Sequence, residues 1–132
     1  MMFVDANVIL DICDRDPAWY AWSIDQLRRQ SILHELVINP IVYSEISVSF
    51  ESPTGLDAKL EDLQVAVLSI PRRAAFMAGK AYQQYRRRGG AKSNVLPDFF
   101  IGAHAAVLDC ALLTRDVRYY AAYFPTVPLI AP

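Results

Sequence analysis

Cysteine and histidine are scarce in this chain. Its 132 residues hold two of each, Cys13, Cys110, His34 and His104. Two cysteines make no disulfide framework, and none of the four residues stands at metal-ligand spacing from another, which argues against a zinc site. Both cysteines lie among apolar neighbours, the setting of buried thiols in a reducing compartment. A dominant charge is also missing: 13 basic against 14 acidic residues leave a net charge of −1. Nucleic acid, if it is a partner, must then be met by a local basic patch or through metal ions. No apolar run is long enough to cross a bilayer, because Phe99 to Leu113 is interrupted by His104 and Asp109. The stretch Met1 to Leu10 has no basic start and carries Asp5, so no signal peptide is expected. Repeats, linkers and low-complexity segments are absent too. A soluble, cytoplasmic protein without membrane contact is the expectation.

Core-forming material, by contrast, is plentiful. Hydrophobic residues make up 54% of the chain and charged residues 20%, which is enough apolar side chain for one domain over residues 1–132. Met2-Phe3-Val4, Leu36-Val37-Ile38, Val65 to Ile70 and Ala111-Leu112-Leu113 are short apolar runs of the kind that form buried strands. Val127-Pro128-Leu129 suits an edge strand, where proline is tolerated. Asp16-Pro17 and Asn39-Pro40 carry the cap-then-proline signal of a helix start. The second of these helices has Ile41, Glu45 and Val48 on one stripe. Pro53-Thr54-Gly55 is expected to turn before a short helix from Leu56 to Leu63. Pro71 opens a long helix with Ala74, Ala75, Ala78, Ala81, Tyr82 and Tyr85 on its packing side, ended by Gly89-Gly90. A loop at 91–96 leads into a helix from Pro97 to about Asp109, and the last helix covers about Val117 to Tyr123. Strands alternating with helices predict an α/β domain with a mostly parallel sheet.

Four carboxylates stand apart from the solvated ones. Asp5 and Asp116 follow apolar strands, and ligand crevices of open α/β sheets lie outside the carboxyl ends of the strands. Thr114 shares the side of Asp116 by alternation. Glu45 sits in an apolar stripe, where a lone buried ion would cost several kcal/mol. Asp98 lies in the first turn of its helix, on the face of Gly102 and Ala105, small residues expected to allow close packing against the sheet. Taken singly, each has a plain structural role: a turn-former, a partly exposed helix residue, a charge against the helix dipole, an N-cap. Together, convergent acids repel and need a cation, and an all-oxygen set selects Mg²⁺ or Mn²⁺. Such a site suits phosphodiester hydrolysis. Asp109 falls outside the group, about 16 Å along the helix from Asp98.

At these residues the chain resembles the PIN-domain family, and within it the VapC-type toxins of type II toxin–antitoxin systems. Phe3-Val4-Asp5-Ala6-Asn7-Val8-Ile9-Leu10 is similar to the family's opening motif, with Ala6 in place of the common Ser or Thr and Asn7 keeping the next polar position. Ser44-Glu45 and Pro97-Asp98-Phe99-Phe100-Ile101-Gly102-Ala103-His104-Ala105 resemble the second and third acidic positions. Leu112-Leu113-Thr114-Arg115-Asp116 resembles the closing Thr-x-Asp motif. The resemblance implies a PIN-like three-layer domain with a five-stranded sheet flanked by helices. It also implies a Mg²⁺- or Mn²⁺-dependent endoribonuclease toxin, a homodimer and a VapB-like antitoxin. Asp5 and Asp98 would be the most direct metal ligands, completed by Glu45 and Asp116, with Asn7 and Thr114 as supporting polar groups.

Arg86, Arg87, Arg88 and Lys92 flank the glycine pair shortly before Asp98 and could hold RNA phosphates; a solvated helix end is the plain alternative. Arg115 could touch phosphate or pair with an acid. His104, well inside an apolar helix, reads as a packing residue rather than a general base. Trp19, Tyr20 and Trp22 form core or a partner groove. Two other functions remain open at this level: a PIN-like RNA- or protein-binding module without turnover, and a phosphotransfer enzyme using Asp5 as nucleophile. The second lacks a second aspartate beside Asp5 and a lysine motif.

Overall fold

Burial on both faces makes strands of the short apolar runs. The computed structural model describes residues 1–92 and 94–132; Ser93, in the loop expected at 91–96, lies outside them. In chain order the elements are β1 (Met2–Val4), α1 (Ala6–Cys13), α2 (Tyr20–Leu33), β2 (Leu36–Ile38), α3 (Pro40–Ile46), a 3₁₀ turn (Ser47–Ser49) and α4 (Pro53–Asp62). There follow β3 (Val65–Val67), α5 (Arg72–Arg87), α6 (Leu96–Leu108), β4 (Ala111–Leu113), α7 (Arg118–Tyr123) and β5 (Leu129–Ile130). Every residue of β1 and β2 is buried. The five strands form one sheet in the order β3-β2-β1-β4-β5, and all four pairings are parallel. With the right-handed crossovers that parallel strands adopt as a rule, this strand order places α1–α4 on one face and α5–α7 on the other, the expected three layers. From β1 the chain first builds outward through β2 to β3, then returns to the other side of β1 with β4. The β1/β4 boundary is therefore a topological switch point, where such sheets open a crevice.

Several local expectations need correction. Helix α1 was not foreseen; Asp5 is its N-cap, accepting the Ala6 amide. Helix α2 starts at Tyr20 rather than Pro17, although Asp16 does cap the turn that leads into it: its carboxylate accepts the amides of Ala18 and Trp19 at 2.9 Å, and its carbonyl accepts the Tyr20 amide. Pro53-Thr54-Gly55 is the first turn of α4, capped by Ser52, whose hydroxyl accepts the Gly55 amide at 3.2 Å. Strand β3 stops at Val67, in register with Ile38, the last residue of its partner strand. On α3 the buried stripe is Val42 and Ile46. Glu45 borders it, and Val48 is 80% exposed because the 3₁₀ turn after Ile46 breaks the helical spacing. On α5, Ala74, Ala78, Ala81 and Tyr85 are buried as expected, whereas Ala75 faces solvent.

Gly102 also departs from expectation. It is buried on α6, but a methyl group there would meet the Phe124 ring at 2.3 Å, so its role is to admit the chain segment after α7. Phe99 on the same helix packs against Tyr82 and Tyr85 of α5, Tyr119 and Tyr123 of α7, and Phe124. This aromatic cluster locks α5, α6 and α7 together. It thereby sets the position of Asp98, one residue before Phe99, and of Tyr120, one residue after Tyr119.

Candidate metal centre

Asp5 leaves the C-terminal end of β1 in extended conformation and starts α1, so its backbone and carboxylate have separate tasks. Its amide donates to the Leu113 carbonyl of β4 at 2.9 Å, which joins the ends of the two central strands. Its carboxylate receives the Ala6 amide at 2.7 Å, Thr114 Oγ1 at 2.8 Å, the Tyr120 hydroxyl at 2.9 Å and Asn7 Nδ2 at 3.3 Å. Thr114, directly after β4, is buried and also accepts the Asp116 amide at 3.1 Å. Asn7 Oδ1 accepts the Arg115 amide at 3.1 Å. The loop Thr114-Arg115-Asp116 is thus fastened to the start of α1.

Asp5, Glu45, Asp98 and Asp116 line one cleft of about 170 Å³, together with Asn7, Leu10, Tyr119 and Tyr120. The four acids come from β1, α3, α6 and the end of β4, so the sheet order assembles what the sequence separates. Burial and mutual repulsion push their protons on. Glu45 is raised from the ordinary 4.5 to about 7, by burial first and then by the charges of Asp5 and Asp98. Asp98 is raised from 3.8 to about 6, again by burial and then by Asp5 and Asp116. Asp5 is raised by burial against the opposing pull of its hydrogen bonds. Asp116 differs: Arg118 grips both of its oxygens, at 3.2 and 2.8 Å, and holds its carboxyl below the usual range.

Glu45 Oε1 is buried and has no hydrogen-bond partner among the described residues. A bare carboxylate oxygen beside two other acids fits a hard divalent cation, as does a donor set made only of oxygen. Among the described residues, no three acidic, histidine or cysteine side chains already stand at ligating distance of one point. The four carboxylates share a cleft without converging on one point.

The basic residues divide. Arg86 and Arg87 close α5, and they and Arg88 are exposed, with Arg88 also lying over the Tyr123 ring at 5.2 Å. The Lys92 amide donates to the Tyr85 hydroxyl at 3.1 Å and leaves an exposed side chain. Arg115 turns inward: its guanidinium holds Asp11 through Nε at 2.7 Å and Nη2 at 2.9 Å, and stacks over Trp19 at 5.2 Å. Its planar fork matches the carboxylate, and that match takes it away from solvent. His104 is the buried packing residue expected, its Nδ1 3.2 Å from Asn39 Nδ2 and its ring edge-on to Phe3. Asn39 in turn caps α3 through the Val42 amide at 3.0 Å. The His104–Asn39 contact therefore helps to set the helix that carries Glu45.

Several residues of this region escaped sequence reasoning, Arg118 on Asp116 and Tyr119 in the cleft lining among them. Tyr120 joins the acids, with its hydroxyl also 3.5 Å from Asp98 Oδ1. The signal for it was its place one turn after Asp116, on the helix expected there. Asp11 anchors Arg115 and accepts Ser23 Oγ at 2.7 Å. Its signal was an acid inside the apolar run Val8 to Cys13, the same signature that singled out Glu45.

An open parallel α/β sheet with an acidic cleft at its switch point defines the class of this protein. The family follows from the sequence as a whole: residues 2–125 match the model of the PIN domain, and the chain belongs to that family. Solved structures share the fold. The chain is similar to one in VapBC2 from Rickettsia felis bound to a DNA fragment from their promoter, with TM-score 0.72 and 17% identity over 99% of this chain and 98% of that one. It is similar to one in DNA-bound VapBC from Salmonella typhimurium, with TM-score 0.71 and 18% identity over 98% and 96%. A third likeness is to VapBC-1 from nontypeable Haemophilus influenzae, with TM-score 0.68 and 22% identity over 99% and 98%. Among curated protein sequences, none matches. No helix among the described residues is long and apolar enough to cross a membrane.

Proposed function

We propose that the chain is a Mg²⁺- or Mn²⁺-dependent endoribonuclease and the toxin of a VapBC-type pair. The observation that carries the metal reading is the unpartnered Glu45 Oε1 in a cleft shared with Asp5, Asp98 and Asp116. Asp5, Glu45 and Asp98 would hold the ion, with Asp116 joining once Arg118 releases it. A bound divalent cation supplies positive charge at the scissile phosphate and acidifies a water for attack. The chain's own residues do the rest. Thr114, Asn7 and Tyr120 orient Asp5, while Glu45 and Asp98, whose proton affinities burial and neighbouring carboxylates raise, would release those protons on taking up the ion. Exposed Arg86, Arg87, Arg88 and Lys92 are the proposed phosphate contacts. Arg115, engaged by Asp11, is left out of that set.

RNA as substrate, a VapB-like antitoxin and a homodimer rest on the resemblance, with membership of the PIN domain family and the shared fold in support. The test uses purified, antitoxin-free chain and total RNA with Mg²⁺ or Mn²⁺, with EDTA, and with Asp5→Asn. Cleavage is expected only with metal and the parent residue. Cleavage that survives EDTA or the substitution would sink the metal site; no cleavage of any RNA would favour a binding module, and a covalent phosphate on Asp5 would favour phosphotransfer.

A further inference from the structure

The two oxygens of Asp5 are not equivalent. Oδ2 receives Thr114 Oγ1 at 2.8 Å, the Tyr120 hydroxyl at 2.9 Å and Asn7 Nδ2 at 3.3 Å. Among the described residues, Oδ1 receives the Ala6 amide alone, at 2.7 Å. An ionised carboxylate offers about four lone-pair directions, two on each oxygen. Oδ2 is therefore full, and Oδ1 keeps one direction open. The donors are well held. The Thr114 proton has a second acceptor in the Asp116 carbonyl at 3.2 Å, but the shorter bond goes to Asp5. Tyr120 is 2% exposed, and its neighbours in α7 are pinned by the aromatic cluster, so its hydroxyl cannot swing out to solvent.

We propose that Tyr120 is a positioning residue: with Thr114 it fills Oδ2 of Asp5, so that Asp5 meets a divalent cation through Oδ1 alone. This rests on the metal reading above and adds to it the mode of ligation and a preference among ions. Single-oxygen ligation suits small, octahedral Mg²⁺ and Mn²⁺. Ca²⁺ takes more oxygens and gains from a carboxylate that binds through both. With Oδ2 withheld, Asp5 supplies Ca²⁺ with one ligand fewer than it otherwise could. Removing the Tyr120 hydroxyl leaves Oδ2 with the Thr114 hydroxyl and the long Asn7 contact at 3.3 Å, a weak bond that an ion can displace, and so opens two-oxygen ligation.

The experiment measures ion binding without RNA, on the full chain. Free Mn²⁺ is followed by electron paramagnetic resonance, and Ca²⁺ by its competition with Mn²⁺. The proteins are the parent, Tyr120→Phe, Thr114→Val and Thr114→Ser, each checked for folding by circular dichroism. Tyr120→Phe is expected to shift the Ca²⁺-to-Mn²⁺ affinity ratio toward Ca²⁺ by about tenfold. Thr114→Val shifts it in the same direction, and Thr114→Ser, which keeps the hydroxyl, restores the parent ratio. A folded Tyr120→Phe protein with an unchanged ratio, or with both affinities reduced equally, overturns the positioning role and leaves the metal reading standing. If Tyr120→Phe does not fold, the Thr114 pair decides by the same criterion. A parent chain that binds neither ion overturns the metal reading and this inference together.

Discussion

At Glu45 and Asp98 the cost of crowding acids into one cleft is carried as shifted proton affinity. Glu45 moves from 4.5 to about 7 and Asp98 from 3.8 to about 6. Both values are raised in the folded chain, so over this window the fold retains protons that the unfolded chain has released. The associated stability is full below the ordinary carboxylate values and is lost as pH climbs through the raised ones. Asp5 shifts in the same sense. Asp116, held low by Arg118, works the other way but only below its ordinary 3.8, outside the window. In EDTA, the melting temperature is therefore expected to fall between about pH 5 and about pH 8. Glu45→Gln, which cannot ionise, flattens that fall and melts higher than the parent at the alkaline end. Calorimetric melts across the range check both statements, and a melting temperature that rises with pH would contradict them.

Between elements, one ion pair ties α1 to the loop after β4, and its two halves are unequally buried. The Asp11 side chain is 3% exposed and that of Arg115 28%. Arg115→Ala leaves a buried carboxylate with only Ser23, and a cost of roughly 3 kcal/mol is expected. Asp11→Ala frees an arginine that can reach water, and costs about 1–2 kcal/mol. Urea unfolding midpoints of the two variants measure this asymmetry; equal losses would show that burial does not govern the pair. The α6–α7 contact offers a second prediction. Gly102→Ala drives a methyl group into the Phe124 ring, and overpacking of this kind costs about 1–3 kcal/mol. Because Asp98 rides on the same helix, Mn²⁺ binding should weaken along with stability, as a paired titration and melt would reveal.

For the molecule as a whole, metal binding and folding are linked. An ion that binds the native cleft and not the unfolded chain stabilises by mass action, about 2.7 kcal/mol at about 100 times Kd. Mn²⁺ is therefore expected to raise the melting temperature by roughly 10 °C, and Asp5→Asn to abolish the rise. Scanning fluorimetry with and without the ion checks this. The same scale explains what was legible. Four strands and the α3 and α5 packing starts could be read locally, because a buried run of Val, Leu and Ile, or an Asn-Pro cap, is settled within a few residues. Helix α1 and the start of α2 could not, because side chains of Asp5 and Asp16 choose between capping a helix and closing a turn only in context.

The acidic cleft marks the same division. Sequence alone determined the apolar strands and singled out Asp5, Glu45, Asp98 and Asp116, acids that follow apolar strands or sit in apolar helices, since each of those signals is local to its own element. Tertiary structure alone decided that they meet, because β4 pairs beside β1 and brings Thr114 within 2.8 Å of Asp5 across 109 positions of chain. It also decided that Arg115 serves Asp11, that Tyr120 enters the cleft, and which oxygen of Asp5 stays open. Hydrogen bonds over such separations depend on strand order and helix docking, and no periodicity within one segment encodes them.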